Sequence, residues 1–338
     1  MRSEKAAYIF AARKSWELSD RMKKPEKERT QEERRVSEEK LSLMQRCKRK
    51  ACNVFCRQMP DRLYLEWMYE IRMGEKLHLE HPETFNEKLN WLKLYDRRDE
   101  YTKMADKYEV RQYIADKIGE EYLIPLLGAW KRPEDIDPAK LPDQFVLKCT
   151  HDSASVVICK DKENFDWEAA KKKLSKSLAV NYFYPSREWP YKNIVPRVIA
   201  EQYMVDESGT ELKDYKIYNF GGKPELIQVD FGRFVHLERN LYDLDWNYID
   251  EQIEYPKNPA VTIVRPEHLN LMLELAGKLA EGIPSVRTDF YSINGKVYFG
   301  EITFYQEAGF AHFSSDQYDR YLGSLIQLPV KGKSICGS

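Results

Sequence analysis

The chain has 338 residues, with 54 Lys and Arg against 55 Asp and Glu, so its formal net charge is −1. Hydrophobic residues make up 42% of it, too many for a disordered chain, and the length predicts about two domains. No apolar run approaches the ~18–20 residues of a spanning helix, and the first ten residues lack the apolar segment of a secretory signal. The six cysteines, at positions 47, 52, 56, 149, 159 and 336, form no CxxC pair. This pattern excludes a disulfide framework and a zinc ribbon and predicts a cytoplasmic protein.

The near-zero charge hides a difference between the two ends of the chain. Residues 1–58 carry 17 Lys and Arg against 9 Asp and Glu, a net charge of +8, whereas residues 59–338 carry −9. Helical periodicity over 3–16 and 28–58 predicts that the first 58 residues form a basic helical extension. Two interpretations of it stay open: a helix packed on the main body or a partly disordered arm, or a surface helix on anionic lipid or an acidic partner.

The rest of the chain changes character at residue 119. Residues 59–119 have apolar residues at helical spacing and predict a helical region. Beyond 119, short β-rich runs alternate with two helical segments, 166–179 and 267–281. The predicted strands are 122–130, 144–149, 155–159, 197–204, 214–220, 224–231, 241–243, 285–293 and 296–304. Hairpin-linked strands predict an α+β fold, and neither GxGxxG nor GxxxxGK[ST] is present to indicate a common mononucleotide fold.

The closing hairpin carries the most chemically informative residues. Side chains alternate along a strand, so Arg287 and Asp289 share a face, as do Glu301 and Thr303. A two-residue turn at Asn294-Gly295 would place Asp289 opposite Gly300, whereas a three-residue loop would place it opposite Glu301. In the second register, two carboxylates and a hydroxyl beside an arginine form an oxygen-rich site suited to Mg²⁺ and phosphates. The alternative is a surface charge cluster.

Two further segments could bind a nucleotide. Residues 145–155 run from a strand carrying Lys148 into a small polar turn, whose backbone N–H groups could hold phosphate. The strand 199–204 could offer backbone groups to an adenine, Asp214 could hold ribose hydroxyls, and Lys216 on the same face could reach a phosphate. Taken singly, each segment is more typical of plain strands and turns with solvated charges.

Seven segments in order resemble the TupA-like group of the ATP-grasp superfamily, over about residues 61 to 328. They are TFNEKLNWLKLYDR (84–97), DKYEVR (106–111), FVLKCTHDS (145–153), REWPYKN (187–193), IAEQYM (199–204), DYKIYNFGGKP (214–224) and FGEITFY (299–305). The resemblance implies an ATP-grasp fold, with two α+β subdomains that clasp ATP. We place the helical pre-domain at 59–119, the small subdomain at 120–204, the large subdomain at 205–329 and a tail at 330–338.

The resemblance also implies an ATP-dependent carboxylate–amine ligase that forms an acyl phosphate, with ATP and Mg²⁺ as cofactors. The residues implied to bind ATP are Lys107 and Lys148 at the α- and β-phosphates, His151, Ser153 and Ser155 in the loop above them, Glu201, Gln202, Tyr203 and Met204 at the adenine, and Asp214 at the ribose. Those implied at the γ-phosphate and acyl phosphate are Lys216, Arg233, Arg239 and Arg287, and the implied Mg²⁺ ligands are Asp289, Glu301 and Thr303. The implied substrates are carboxylates and amines, including a surface polysaccharide or its precursor, with no nucleic-acid partner. A cytoplasmic protein, peripheral at the inner membrane face, fits these substrates.

Two departures from the family pattern stand out. The third metal ligand is commonly Asn and is Thr303 here, and the phosphate loop is usually rich in glycine but reads His-Asp-Ser-Ala-Ser over 151–155. Two alternative functions follow from other features. Asp243-Leu244-Asp245 is typical of a metal-dependent glycosyltransferase, and the glycine-poor loop with Thr303 is compatible with a non-catalytic nucleotide-binding protein.

Overall fold

A computed structural model describes residues 56–153, 155–206, 212–232 and 236–330. The chain divides into two compact units, 1–76 and 77–338. In the first unit, a helix runs from Asp61–Met73 and ends where Gly74 takes a φ of 77° and donates its N–H to the Glu70 carbonyl. Most of the basic extension, residues 1–55, and nearly all of the tail lie outside the described residues, so these predictions stay predictions.

Three helices open the second unit, at Phe85–Tyr95, Asp99–Ala105 and Val110–Lys117. The first begins with a capping box, in which the Thr84 hydroxyl accepts from the Glu87 N–H and the Glu87 carboxylate accepts from the Thr84 N–H. Its apolar face, including Leu89, is buried as the sequence predicts.

A neighbouring face of the Phe85–Tyr95 helix is buried as well, and it is polar. Asn90 donates to the Gly309 carbonyl at 2.6 Å, and Lys93 donates to the Ala308 carbonyl at 2.5 Å. These bonds hold a turn in which Glu307 and Ala308 have φ values of 47° and 53°. Because non-glycine residues adopt such conformations at a cost of ~1–3 kcal/mol each, the surrounding contacts must hold this turn in place.

The first sheet has four antiparallel strands in the order β1-β4-β2-β3. The strands are β1 (Leu126–Trp130), β2 (Phe145–Cys149), β3 (Val157–Cys159) and β4 (Val198–Gln202). The helix Trp167–Leu178 covers one face, where Leu174 joins the core cluster around Phe145 and Leu147. A four-residue helix, Phe183–Ser186, and a 3₁₀ turn, Trp189–Lys192, lead into β4.

The second sheet has six antiparallel strands in the order β10-β9-β5-β6-β7-β8. The strands are β5 (Asp214–Phe220), β6 (Lys223–Phe231), β7 (Glu238–Tyr242), β8 (Tyr248–Ile249), β9 (Ser285–Ile293) and β10 (Lys296–Thr303). The helix Leu269–Leu279 packs on this sheet, and the helix Asp316–Leu325 packs on Phe85–Tyr95. Antiparallel sheets with separate helices are the predicted α+β arrangement. Within the described ranges, no helix is both long and apolar enough to cross a membrane.

Candidate active site

A cavity of ≈ 230 Å³ lies between the two sheets. Aliphatic side chains line it from both sides, Val146 and Ile158 from the first sheet and Ile302 from the second. Lys107, Lys148 and Glu301 also line it, so the cavity combines apolar walls with charged groups. Apolar walls with a few convergent charges are the usual features of a ligand site, and a nucleotide needs both.

The end of β4 forms one edge of this cavity. Gln202 donates its N–H to the Pro125 carbonyl at 3.0 Å, which fixes the strand end, and Tyr203 and Met204 follow along the lining. The Glu201 carboxylate lies 2.6 Å from the Lys148 Nζ and 3.6 Å from an Arg111 nitrogen. The structure therefore brings Glu201 to Lys148, where its carboxylate orients the predicted phosphate-binding lysine.

Side chains hold the turn after β2, where the family pattern has glycine. The Ser155 hydroxyl donates to the Asp152 carboxylate at 2.5 Å and accepts the Cys149 N–H at 2.7 Å. The Ser153 hydroxyl lies 2.6 Å from the Tyr182 hydroxyl, and Lys107 donates to the Asp152 carbonyl. The predicted loop residues Ser153 and Ser155 thus make contacts within the protein that shape the loop.

His151 differs from the expectation that it contacts the nucleotide. It is buried, and its Nε2 lies 3.2 and 3.1 Å from the carbonyls of Ser177 and Val180 at the end of the Trp167–Leu178 helix. The ring therefore fastens the loop to the helix, and it is not among the residues that line the cavity. A sequence shows that a histidine lies in a loop but not which way the ring turns.

The closing hairpin combines the two registers that the sequence left open. Ile293 pairs with Lys296, so the turn has two residues, and Asn294 and Gly295 take the positive φ values of 49° and 73° that such a turn requires. A β-bulge at Gly300 then shifts the pairing so that Asp289 lies opposite Glu301. A Cβ at Gly300 would lie 3.0 Å from the Asp289 carbonyl oxygen, which explains why glycine occupies the bulge.

The bulge assembles a charged cluster across β5, β9 and β10. The Arg287 guanidinium binds both Asp289 oxygens, at 2.7 and 2.9 Å. Its Nη2 also lies 3.1 Å from Glu301 Oε1 and 3.1 Å from Thr303 Oγ1. From β5, Lys216 Nζ lies 2.6 Å from the same Asp289 carboxylate. The structure thus brings together five residues predicted for the γ-phosphate and the metal.

Positive charge gathers around Glu301. Burial raises the pKa of this carboxyl, but the charges of Lys107, Arg287, Lys216 and Lys148 outweigh burial and hold its pKa at about 2. Burial also lowers the pKa of the Lys107 ammonium. Glu301 is therefore ionised near neutral pH, inside a group of cations suited to the phosphates of a nucleotide.

A sequence model described as "TupA-like ATPgrasp" matches residues 87–327. The chain belongs to this family. The match confirms the predicted ATP-grasp fold, which the two antiparallel sheets around a cleft exhibit. No curated protein matches the chain.

Solved structures of ATP-grasp ligases resemble the chain at low identity. D-alanine–D-alanine ligase from Bacillus anthracis, complexed with ATP, is 14% identical over 60% of this chain and 53% of its own, with a TM-score of 0.35. The Helicobacter pylori enzyme is 14% identical over 72% of this chain and 69% of its own, with a TM-score of 0.37. Phosphoribosylamine–glycine ligase from Thermotoga maritima is 12% identical over 60% of this chain and 48% of its own, with a TM-score of 0.37. The chain thus spans about half the length of two of these three enzymes.

The Glu301 cluster consists of Lys216, Arg287, Asp289, Glu301 and Thr303. Of the other predicted residues of this ATP-grasp chain, Arg239 lies on a more distant strand, whereas Asp214 lies beside the cluster. Arg239, on β7, is three strands from Arg287 on β9, or ~14 Å at the usual strand spacing. It is buried between the Asp230 carboxylate, at 2.7 Å, and Glu307, at 2.9 Å. Its predicted contact with the γ-phosphate stays a prediction. Arg233 lies outside the described residues. Asp214 is buried 3.5 Å from Lys216, and its ribose contact stays a prediction.

Two residues that line the cavity, Arg111 and Tyr191, were given no ATP-site role from the sequence. Arg111 lines the cavity and pairs with Glu201. Its signal was present in DKYEVR, where it follows Lys107 by four residues. Tyr191, in REWPYKN, also lines the cavity, whereas Arg187 in the same segment is 1% exposed and bonds the Tyr184 carbonyl at 2.6 Å.

The Asp243-Leu244-Asp245 pattern has a structural explanation. Asp243 accepts the N–H groups of Asp245 and Asn247, at 3.0 and 2.7 Å, and the Asn247 side-chain amide at 2.8 Å. These bonds form a turn stabilised by an aspartate, which is a common role for this residue. The pattern therefore gives no support to a glycosyltransferase site.

The Glu301 cluster offers oxygen ligands of the kind that Mg²⁺ prefers. In the part of the chain that the structure describes, no three His, Cys, Asp or Glu residues lie close enough to hold a metal by themselves. Asp289, Glu301 and Thr303 provide two carboxylates and a hydroxyl, which are hard oxygen ligands. Because Mg²⁺ keeps several ligands from water and substrate phosphates, this smaller donor set fits Mg²⁺ bound together with a nucleotide.

Proposed function

We propose that this protein is an ATP-dependent carboxylate–amine ligase that works through an acyl phosphate. The observation that carries the proposal is the charge around Glu301, where Lys107, Lys148, Lys216 and Arg287 surround an ionised carboxylate at the cavity between the two sheets. Such an arrangement suits phosphoryl transfer, in which catalysis consists mostly of positioning and charge neutralisation.

The proposed role of each residue follows from its position. The base would lie between Val146, Ile158 and Ile302, with its polar edge at the backbone of residues 202–204. Lys107 and Lys148 would hold the inner phosphates, because both line the cavity beside the loop after β2. Bound Mg²⁺, held by Asp289, Glu301 and Thr303, would neutralise charge on the outer phosphates.

The chemistry proceeds in two balanced steps. A substrate carboxylate oxygen attacks the γ-phosphorus, the bond to the β–γ bridging oxygen breaks, and ADP leaves. An amine nitrogen then attacks the carbonyl carbon of the acyl phosphate, inorganic phosphate leaves, and the nitrogen loses a proton. Lys216 and Arg287 would stabilise the negative charge that develops on the transferred phosphoryl group.

We further propose that the carboxylate belongs to a surface polysaccharide or its precursor, as the family resemblance implies. The aromatic Tyr191 at the cavity supports this, because an aromatic face offers apolar contact to a sugar ring. The basic extension, residues 1–58, would keep the enzyme at the inner face of a membrane carrying anionic lipid.

The test measures ADP release from Mg²⁺-ATP with panels of uronic acids and amino acids. We expect release to require both a carboxylate and an amine, and Glu301→Gln to lower the rate by roughly 100-fold or more. Glu274→Gln is the matched control, since Glu274 lies on the solvent-facing side of the helix Leu269–Leu279, in a surface pair with Lys278. Sugar transfer from a nucleotide-sugar, without ATP turnover, would overturn the proposal.

A further inference from the structure

We propose that Arg287 occupies the metal position of its own active site, so that a divalent ion binds there only when nucleotide phosphates draw the guanidinium away. The inference rests on the proposed function for the identity of the nucleotide. It concerns the order in which ligands bind, and it assigns to Arg287 the role of a displaceable internal cation.

The position of one nitrogen atom carries the argument. Arg287 Nη2 lies 2.9 Å from Asp289 Oδ2, 3.1 Å from Glu301 Oε1 and 3.1 Å from Thr303 Oγ1. These three oxygens are the proposed Mg²⁺ ligands. An ion bound to all three at the usual ~2.1 Å would need the oxygen lone pairs that these atoms now offer to Nη2. It would also bring a second positive charge beside the guanidinium, so the guanidinium must move before the ion enters.

Lys216 is a second cation that competes with a metal ion for the Asp289 carboxylate. Its Nζ lies 2.6 Å from Asp289 Oδ2, which therefore already accepts from two cations, while Asp289 Oδ1 accepts from Arg287 Nε at 2.7 Å. Lys216 also lies 3.5 Å from Asp214, and Lys107 and Lys148 act on Glu301, so the cations of this region at least match its carboxylates in number. Asp289 itself is 2% exposed. A free divalent ion thus meets no net negative charge here to offset the loss of its hydration shell.

Nucleotide phosphates reverse this balance. A guanidinium binds phosphate oxygens through the same paired N–H groups that it offers a carboxylate. Phosphates held by Lys107 and Lys148 at the cavity would attract Arg287 and Lys216, which frees oxygens of Asp289 and Glu301. The same phosphates would complete the ligand shell of the ion. Nucleotide and metal should therefore bind with strong positive coupling.

The test measures Mn²⁺ binding to the full-length protein by electron paramagnetic resonance, without nucleotide. We expect wild type to bind Mn²⁺ roughly tenfold or more weakly than Arg287→Met, in which the competing cation is gone. Arg287→Lys keeps the charge and should stay close to wild type. Adding Glu301→Gln to Arg287→Met should abolish the gained binding, which locates it at this cluster.

A measurement on wild type avoids any folding defect of the variants. Thermal melting should show a shift with Mn²⁺ and a non-hydrolysable ATP analogue together that exceeds the sum of the separate shifts. The inference is overturned if Mn²⁺ alone binds wild type as tightly as Arg287→Met, or if the two shifts simply add. Failure of the analogue to bind under any condition would instead contradict the proposed function, while the Arg287→Met comparison would still decide the inference.

Discussion

Lys148 and Glu201 form a largely buried ion pair, and we predict that replacing each of them lowers the stability of the fold by a different amount. Glu201 has two cations, Lys148 at 2.6 Å and Arg111 at 3.6 Å, whereas Lys148 makes its ion pair with Glu201. The side chains of Lys148 and Glu201 are only 17% and 10% exposed. Removing Glu201 leaves two partly buried cations close together, but removing Lys148 leaves Glu201 with Arg111. Glu201→Gln should therefore be the more destabilising change.

The expected sizes follow from typical charge-assisted contacts. Loss of such a hydrogen bond costs ~1.5–3 kcal/mol, and breaking a buried pair costs up to about 5. We expect Glu201→Gln to lower the free energy of unfolding by about 3 kcal/mol and Lys148→Met by about 1–2 kcal/mol, measured by urea denaturation near neutral pH. Glu274→Gln, in an exposed pair, should leave the free energy of unfolding close to that of the wild type. If Lys148→Met costs as much as Glu201→Gln, Arg111 does not share the carboxylate and this reasoning fails.

Two further predictions concern the hairpin and a buried carboxyl. In Gly300→Ala, the new Cβ would lie 3.0 Å from the Asp289 carbonyl oxygen. We therefore expect the free energy of unfolding in urea to fall by about 1–3 kcal/mol and calorimetry to show weaker nucleotide binding. Unchanged nucleotide affinity would contradict the role of the bulge. Burial raises the pKa of Asp319 from 3.8 to about 6, so its ionisation destabilises the fold as pH rises from about 4 to 6. Asp319→Asn should remove up to about 3 kcal/mol of that pH dependence, and equal dependence in both proteins would refute the assignment.

Much of the fold could be predicted because its β-rich runs are bounded by turn residues. The second-sheet strands Asp214–Phe220 and Ser285–Ile293 have the predicted bounds, and the Asn294-Gly295 turn was evident from its residue types. The two-residue strand Tyr248–Ile249 and the helix Asp316–Leu325 were missed, the former because so short a run has no measurable period.

The site could be predicted in composition but not in layout. Arg287, Asp289 and Glu301 stood out by residue type, yet their register depends on a bulge at Gly300, which packing against the Asp289 backbone determines. Arg239 was placed with them because residue types reveal no strand order. The direction of the His151 ring depends on carbonyls 26 and 29 residues further along the chain, which no local pattern reveals.

The most direct test of the central claim traps the acyl phosphate. Hydroxylamine replaces the amine in a reaction with Mg²⁺-ATP and a panel of uronic acids and other carboxylates. The account predicts a hydroxamate formed in equal amount to ADP, and its loss in Glu301→Gln while Glu274→Gln retains it. Tight ATP binding with no hydroxamate from any carboxylate, or cleavage of ATP to AMP, would contradict the proposed ligase.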